Sequence, residues 1–315
     1  MAGSTASIRI EGRTVAVPAL EAEGRTVVVL GRWLKTAGVH DEAWLEGDAL
    51  RDPEAVVARL QQGPVRADVL TFAQKPPDVT PKFNYRIEWD NVAAIPLTTY
   101  ADWWEKRLPQ ESRKHVRKAA KLGVEVRIAP LDDTLVRGIT EIYNEVPVRQ
   151  GRPFSKYGMD FDAVKAEAGL IAARSDFICA YHQGTLIGFI KLVSMGRVAG
   201  ILSIVSRVSH ADKKPTNALI AKAVEVSCAR GMTLLLYGKY VYGNKAGSTM
   251  TEFKRRNGFE KLLVPRYYVP LTLKGRLYLR CNLQRGLIGL LPGRLVEWLL
   301  GWRARYFNRR HAPAG

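Results

Sequence analysis

The plainest alternation of apolar and polar positions lies between Phe177 and Thr272. Phe177-Ile178-Cys179-Ala180-Tyr181 and Leu186-Ile187-Gly188-Phe189-Ile190 are apolar runs of strand length on either side of Gln183-Gly184, which predicts a hairpin. Residues 198–205 predict a third strand. Pro215 and Asn217 open a helix with Ile220, Ala223, Val224 and Cys228 turned inward, closed at Gly231. Residues 233–237 read as a buried strand. Ser248 starts a short helix that ends at Asn257-Gly258, and residues 267–271 form a last strand.

The pattern is weaker upstream. Ile8-Arg9-Ile10, Val15-Ala16-Val17 and residues 25–29 alternate with Gly and Pro as short strands. Residues 33–45 predict a helix, and Pro53 opens another that ends before Gly63. Residues 69–72 and 85–97 read as strands around a proline-rich loop, and residues 98–107 as a helix carrying Trp103 and Trp104. Ser112 is placed to cap a helix that stops at Gly123, with Val116, Ala119 and Ala120 facing the core. On that helix Lys114, Arg117, Lys118 and Lys121 fall at i, i+3, i+4 and i+7, a basic stripe on one face. A strand over 124–128, a helix over 132–146 and a helix over 160–173 complete the count. Between the last two lies the glycine-punctuated loop Arg149-Gln150-Gly151-Arg152-Pro153-Phe154-Ser155-Lys156-Tyr157-Gly158.

Composition changes this picture in one respect. Hydrophobic residues make up 47% and charged residues 25% of 315, an ordinary globular balance, but the net charge is +18. Because that charge is clustered, it points to a polyanionic partner: RNA, a nucleotide-linked substrate, a CoA-like donor or anionic lipid. Cys179, Cys228 and Cys281 form no metal-like or redox pair, so no metal is expected. The scattered cysteines, with no basic-then-apolar start at residues 1–10, suit a cytoplasmic protein.

Three motifs carry a resemblance. One is the basic helix from Ser112 through Lys118-Ala119 to Gly123-Val124. The second is Ala229-Arg230-Gly231 before an apolar strand closed by Gly238. The third is Phe253-Lys254 shortly before Gly258-Phe259. In this order they resemble the FemAB-like branch of the GNAT acyltransferase superfamily, whose members are built from two GNAT-like domains. The resemblance implies an α/β fold with a GNAT-like mixed sheet flanked by helices in two tandem halves: a degenerate unit over 1–110, an acyltransferase domain over 111–273 and a basic helical tail over 274–315. It implies transfer of an acyl or aminoacyl group to an amine, with the acyl donor as co-substrate: aminoacyl-tRNA, acyl-CoA or an acyl carrier. The alternative class is a degenerate transferase fold that only holds RNA or a membrane by charge.

The resemblance also places Lys254 near the transfer site, where an ammonium can stabilise an oxyanion or bind phosphate; the bland alternative is a solvated helix end. Tyr240 and Tyr242 stand beside Lys239 just after the strand over 233–237, at the strand end where α/β proteins bind ligands. Phe253 adjoins them. Arg149, Gln150, Arg152, Lys156 and Tyr157 are candidate substrate-binding residues, since guanidinium groups grip phosphate or carboxylate in pairs. Lys213, Lys214 and Asn217 are candidate donor contacts. The stretch from Ser206 to Pro215 lacks the glycines of the pyrophosphate-cradling turn of acetyl-CoA enzymes. Poor acetyl-CoA binding is therefore expected, and tRNA suits the surface better.

From Lys274 to Arg310, nine Lys or Arg (274, 276, 280, 285, 294, 303, 305, 309, 310) face a single acid, Glu297. Leu291, Leu295, Trp298, Leu299 and Trp302 share a helical face there. That pattern suits either an anionic membrane surface, which would make the protein peripheral on the inner face, or docking on the body of the same chain.

Overall fold

The computed structural model describes residues 4–10, 13–242 and 248–285. The chain begins with β1 (Ser4–Ile10), β2 (Arg13–Ala22), β3 (Arg25–Leu30) and β4 (Thr36–Val39), then α1 (Pro53–Gln62), β5 (Val69–Ala73) and β6 (Arg86–Pro96). It continues through α2 (Tyr100–Asp102), α3 (Gln110–Lys121), β7 (Val124–Ala129), α4 (Asp133–Asn144), β8 (Val148–Arg149), β9 (Arg152–Pro153) and α5 (Phe161–Gly169). Next come β10 (Ser175–His182), β11 (Thr185–Met195), β12 (Val198–Ser206), α6 (Pro215–Ala229) and β13 (Leu234–Lys239). The described chain closes with α7 (Thr249–Arg256), β14 (Glu260–Pro270) and α8 (Leu273–Arg280). This is an α/β fold with mixed sheets flanked by helices.

Two compact units divide the chain, one from the start to Asn91 with residues from Leu263 onward, the other from Val92 to Leu262. The sequence reading put the boundaries at 110 and 273. Residues from Leu263 join the first unit because β14 pairs antiparallel with β5, from Arg266↔Ala73 to Pro270↔Val69. A strand's partner is chosen by tertiary packing, and no local pattern announces it.

In the first unit β1 to β4 form an antiparallel meander, and α1 carries the chain over to β5, parallel to β4. Val56 and Leu60 of α1 pack on Val27, Ala37, Leu70 and Phe72. Asp52 caps α1 by accepting from the Ala55 amide, and Pro53 fills the first turn, where its missing N–H costs nothing. The helix expected over 33–45 is instead β4 followed by a 3-10 turn, Glu42–Trp44. Ala37 and Val39 alternate inward with Gly38 between them, a period of two that a place beside β5 rewards.

In the second unit the strand order is β6-β13-β12-β11-β10-β7. Gln183 and Gly184 both have positive φ, the geometry of a two-residue hairpin turn, so β10 and β11 pair with His182 opposite Thr185. Alternation along β10 sends Ile178 and Ala180 to the face covered by α3 and α6, and Phe177 and Cys179 to the face covered by α4 and α5. Three local expectations change. Residues 98–107 form only the short α2 and a π-helical turn, Trp103–Arg107, because Pro109 forbids further winding. Gln110 starts α3, so Ser112 lies inside it; its buried hydroxyl donates to the Arg256 carbonyl at the end of α7 and does not cap α3. Ala120 is exposed while Ala119 is fully buried.

Among the described residues no helix is long and apolar enough to cross a membrane. The tail face of Leu291, Leu295, Trp298, Leu299 and Trp302 lies outside the described residues.

Candidate functional site

β12 and β13 are parallel neighbours for three residue pairs only: Val198↔Leu234, Ala199↔Leu235 and Gly200↔Leu236. Beyond them β12 runs on to Ser206, paired with β11, and β13 runs on to Lys239, opposite Val92. The two strands thus part at their C-terminal ends, the side on which α/β sheets bind ligands. α6 follows one arm and α7 the other.

Lys254 sits at this parting. α7 is begun by Ser248, whose hydroxyl accepts from the Thr251 amide. It is closed by Gly258 at positive φ. Its single buried residue is Lys254, whose side chain is 0% exposed. The ammonium donates to the carbonyl of Lys239 and lies 4.6 Å from the Tyr237 ring centre and 4.9 Å from that of Tyr242. No carboxylate among the described residues pairs with it. Burial pushes its pKa down to about 8, so the amine can exchange its proton near neutrality. Burial likewise pushes the Tyr237 hydroxyl up to about 12. Gly238 has φ +53, and a Cβ there would stand 2.8 Å from the Tyr242 hydroxyl, so this glycine admits the tyrosine. The solvated-helix-end alternative for Lys254 is excluded by its burial; Arg255 and Arg256 fill that role, both paired with Glu252.

Around Lys254 the neighbours are held firmly. Phe253 packs edge-on to Tyr237 at 6.5 Å, and the Tyr240 carbonyl accepts from the Thr251 hydroxyl at 3.3 Å. Asn217 of α6 donates to Asn257 at 3.0 Å, and Asn257 donates to the Phe253 carbonyl at 2.8 Å, which ties the two helices across the parting. Ser206 and Thr216 share a hydrogen bond of 3.0 Å at the end of the other arm. Tyr242 is half exposed, and Lys239 presents its side chain to solvent.

The remaining candidates are distributed differently. Arg149 is turned inward, donating to the Ser206 carbonyl at 2.6 Å and the Ile142 carbonyl at 2.6 Å, with its guanidinium 4.6 Å from the Phe154 ring centre. It braces the end of β12 against α4. Gln150 and Gly151 form the exposed turn of the β8–β9 hairpin, and Arg152 is exposed beside them. Lys156 pairs with Glu167 of α5, and Tyr157 is exposed. No hydrogen bond or ion pair among the described residues joins this loop to Lys254. Lys213 lies 3.5 Å from Asp212, and Lys214 precedes α6 at positive φ.

Glu145 escaped the sequence reading. Its carboxylate accepts from the Val208 amide at 2.6 Å, the Ser209 amide at 3.0 Å and the Ser209 hydroxyl at 2.6 Å. Burial raises its pKa, but the Ser209 and Val208 donors and Arg149 outweigh burial and hold the carboxyl below the usual range. The amides that follow β12 therefore already hold an anion, supplied by the protein. The nearest sequence signal is a lone Glu before Pro147, which means nothing without the fold. A separate groove of about 710 Å³ beside α4 is lined by Arg127, Asp132, Arg137, Glu141 and Tyr181 among others. Its charged groups are engaged: Asp132 caps α4, Glu141 pairs with Arg207 and Arg127 stacks on Tyr181. Among the described residues no cluster of three or more His, Cys, Asp or Glu is arranged to hold a metal ion.

No protein-family model matches the chain. No curated protein matches it either. Solved structures do. FemX superposes with a TM-score of 0.57 at 10% identity, over 89% of this chain and 90% of that one. The C-terminal domain of a putative lysylphosphatidylglycerol synthetase from Agrobacterium fabrum gives 0.54 at 13% identity, over 85% and 88%. L-PGS from Bacillus licheniformis gives 0.53 at 14%, over 87% and 89%. At these identities the likeness is one of fold, and at that level the resemblance to the FemAB-like branch stands.

Proposed function

We propose that this protein transfers an acyl or aminoacyl group to an amine, with the reacting carbonyl seated where β12 and β13 part. The observation that carries the proposal is Lys254: a buried ammonium at the parting of two parallel strands, with a carbonyl partner, two tyrosine faces and, among the described residues, no compensating acid. A cation is costly in such a place, and one left without the several carbonyl partners that a structural lysine takes marks a candidate functional group. There it would stabilise the oxyanion that forms when an amine attacks a carbonyl. Tyr242, half exposed, is the side chain that would turn aside to admit the substrate, and exposed Lys239 and part-buried Tyr240 stand just before it in sequence.

For the donor, the amides after β12 are held by Glu145, which argues against a CoA pyrophosphate there. The exposed stripe of Lys114, Arg117, Lys118 and Lys121 favours a donor with many phosphates, and aminoacyl-tRNA is of that kind. The putative lysylphosphatidylglycerol synthetase domain of similar fold, by its name, gives a precedent of fold for joining an aminoacyl group to an acceptor. Arg152 and Tyr157, exposed on the β8–β9 side, remain candidates for the acceptor. The complete burial of Lys254 favours a second reading, a non-catalytic binder whose site is closed. Transfer assays with charged tRNA and with acyl-CoA against a panel of amines separate the two. Lys254→Met should lower transfer on the order of a hundredfold with the fold intact. Transfer by Lys254→Met at the wild-type rate would remove Lys254 from the reaction, and no transfer by the wild type to any acceptor favours the binder.

A further inference from the structure

We propose that the first unit docks on an anionic lipid surface through α8 and Trp33. α8 is fixed to its unit at very short range. A Cβ at Gly275 would fall 2.0 Å from the Asp68 carbonyl oxygen, so only glycine permits this approach. Asp68 accepts from the Thr272 hydroxyl at 2.8 Å and the Lys35 amide at 2.9 Å, and the Lys274 ammonium lies 3.9 Å from it. Gly275 and Leu279, four residues apart, are the buried side of the helix. The opposite side carries Leu273 and Leu277, also four apart, 79% and 63% exposed. Helical spacing sets Arg276 and Arg280 along one flank of this leucine pair and Lys274 on the other. Lys274 lies 4.6 Å from the ring centre of Trp33, which is itself 69% exposed.

An apolar strip with a Trp beside it and cations on both margins is the arrangement of a helix lying in a membrane interface. Leucine and tryptophan enter the headgroup boundary while Lys and Arg meet anionic headgroups. A nucleic acid would satisfy the cations but leave both leucines in water. Charge complementarity continues along the sequence, since residues 286–315 contain five Arg against one Glu, with Trp298 and Trp302. The surface differs from the tail face expected from sequence, and it takes no part in the transfer site. Acyl transfer and lipid docking can therefore fail separately.

The test is co-sedimentation of the full chain with vesicles of phosphatidylcholine alone and of phosphatidylcholine mixed with phosphatidylserine. Binding to the anionic vesicles is expected, with little to the neutral ones. Leu273→Ser combined with Leu277→Ser should weaken it by about tenfold or more, since each buried leucine contributes substantially to partition. Lys274→Glu with Arg276→Glu should weaken it as well and flatten its salt dependence. Brominated lipid should quench wild-type tryptophan emission more than that of Trp33→Phe, a readout that needs no change to α8. Three results would overturn the proposal: equal binding to neutral and anionic vesicles, undiminished binding by the double-serine variant, or leucine-dependent dimerisation without vesicle binding. The second would assign the contact to the chain beyond Arg285, the third to a second copy.

Discussion

Among the described residues of the second unit, Lys191 and Lys254 are both almost completely buried, but their surroundings differ. Lys191 of β11 points at the end of α5, where its ammonium donates to the carbonyls of Ala168 at 2.8 Å, Glu167 at 3.4 Å and Leu170. It satisfies the free carbonyls of a helix C-terminus, a structural task. Lys254 has one carbonyl and two ring faces. Its pKa is about 8 in the fold against 10.5 for an ordinary lysine, so between these two pH values the unfolded chain binds the extra proton. Stability contributed at this site therefore rises from about pH 8 to 10.5, and below 8 the burial penalty is fully present. Lys254→Met should raise unfolding free energy at pH 7 by up to about 3 kcal/mol. The gain should disappear above pH 10.5, as denaturant titrations at the two pH values would show. A variant that gains stability at pH 7 as it loses transfer is the behaviour of a residue kept for chemistry.

At the scale of elements, the site is set by how helices end and what holds the strand ends. Glu145, beyond the end of α4, fixes the turn after β12 through three hydrogen bonds. Its carboxyl is held below the 4.5 of an ordinary glutamate, so its contribution is present above that pH and is lost as pH falls through the folded value. Glu145→Gln should lower stability at pH 7 by about 1–3 kcal/mol, and thermal melts should show the difference shrinking below pH 4.5. Gly258 closes α7 at φ +78, and an added Cβ would stand 2.9 Å from the buried Trp103 indole nitrogen. Gly258→Ala is strained twice over, by backbone and by contact. It should cost about 1–3 kcal/mol and, by shifting α7, reduce transfer as well. Unchanged melting with unchanged transfer would show that α7 can move freely.

At the scale of the whole molecule the net charge of +18 is the dominant long-range property. On α3, Arg117 lies 5.6 Å from the ring centre of Trp104 and Lys114 lies 3.7 Å from Glu111, while Lys118 and Lys121 are exposed. If this stripe meets RNA phosphates, Lys118→Glu with Lys121→Glu should reduce the slope of log affinity against log salt by roughly 0.7–0.9 per lost contact. Filter binding of tRNA across a salt series measures it, and an unaltered slope would place the RNA elsewhere. The sequence by itself determined what depends on neighbours along the chain: the β10–β11 hairpin from Gln183-Gly184, the bounds of α1 at Pro53 and Gly63, the start of α7 at Ser248, the α6 helix between Pro215 and Gly231, and the basic stripe of α3. Those follow from local sterics, capping and the periods of helix and strand. Tertiary structure decided what depends on partners distant in sequence: β14 beside β5, β4 where a helix was expected, and Glu145 on the amides after β12. It also decided that Lys254 is buried while Arg255 and Arg256 are not. A run of three cations at a helix end is one signal in sequence, and only the approach of Tyr237 and Tyr242 takes the first of them out of water.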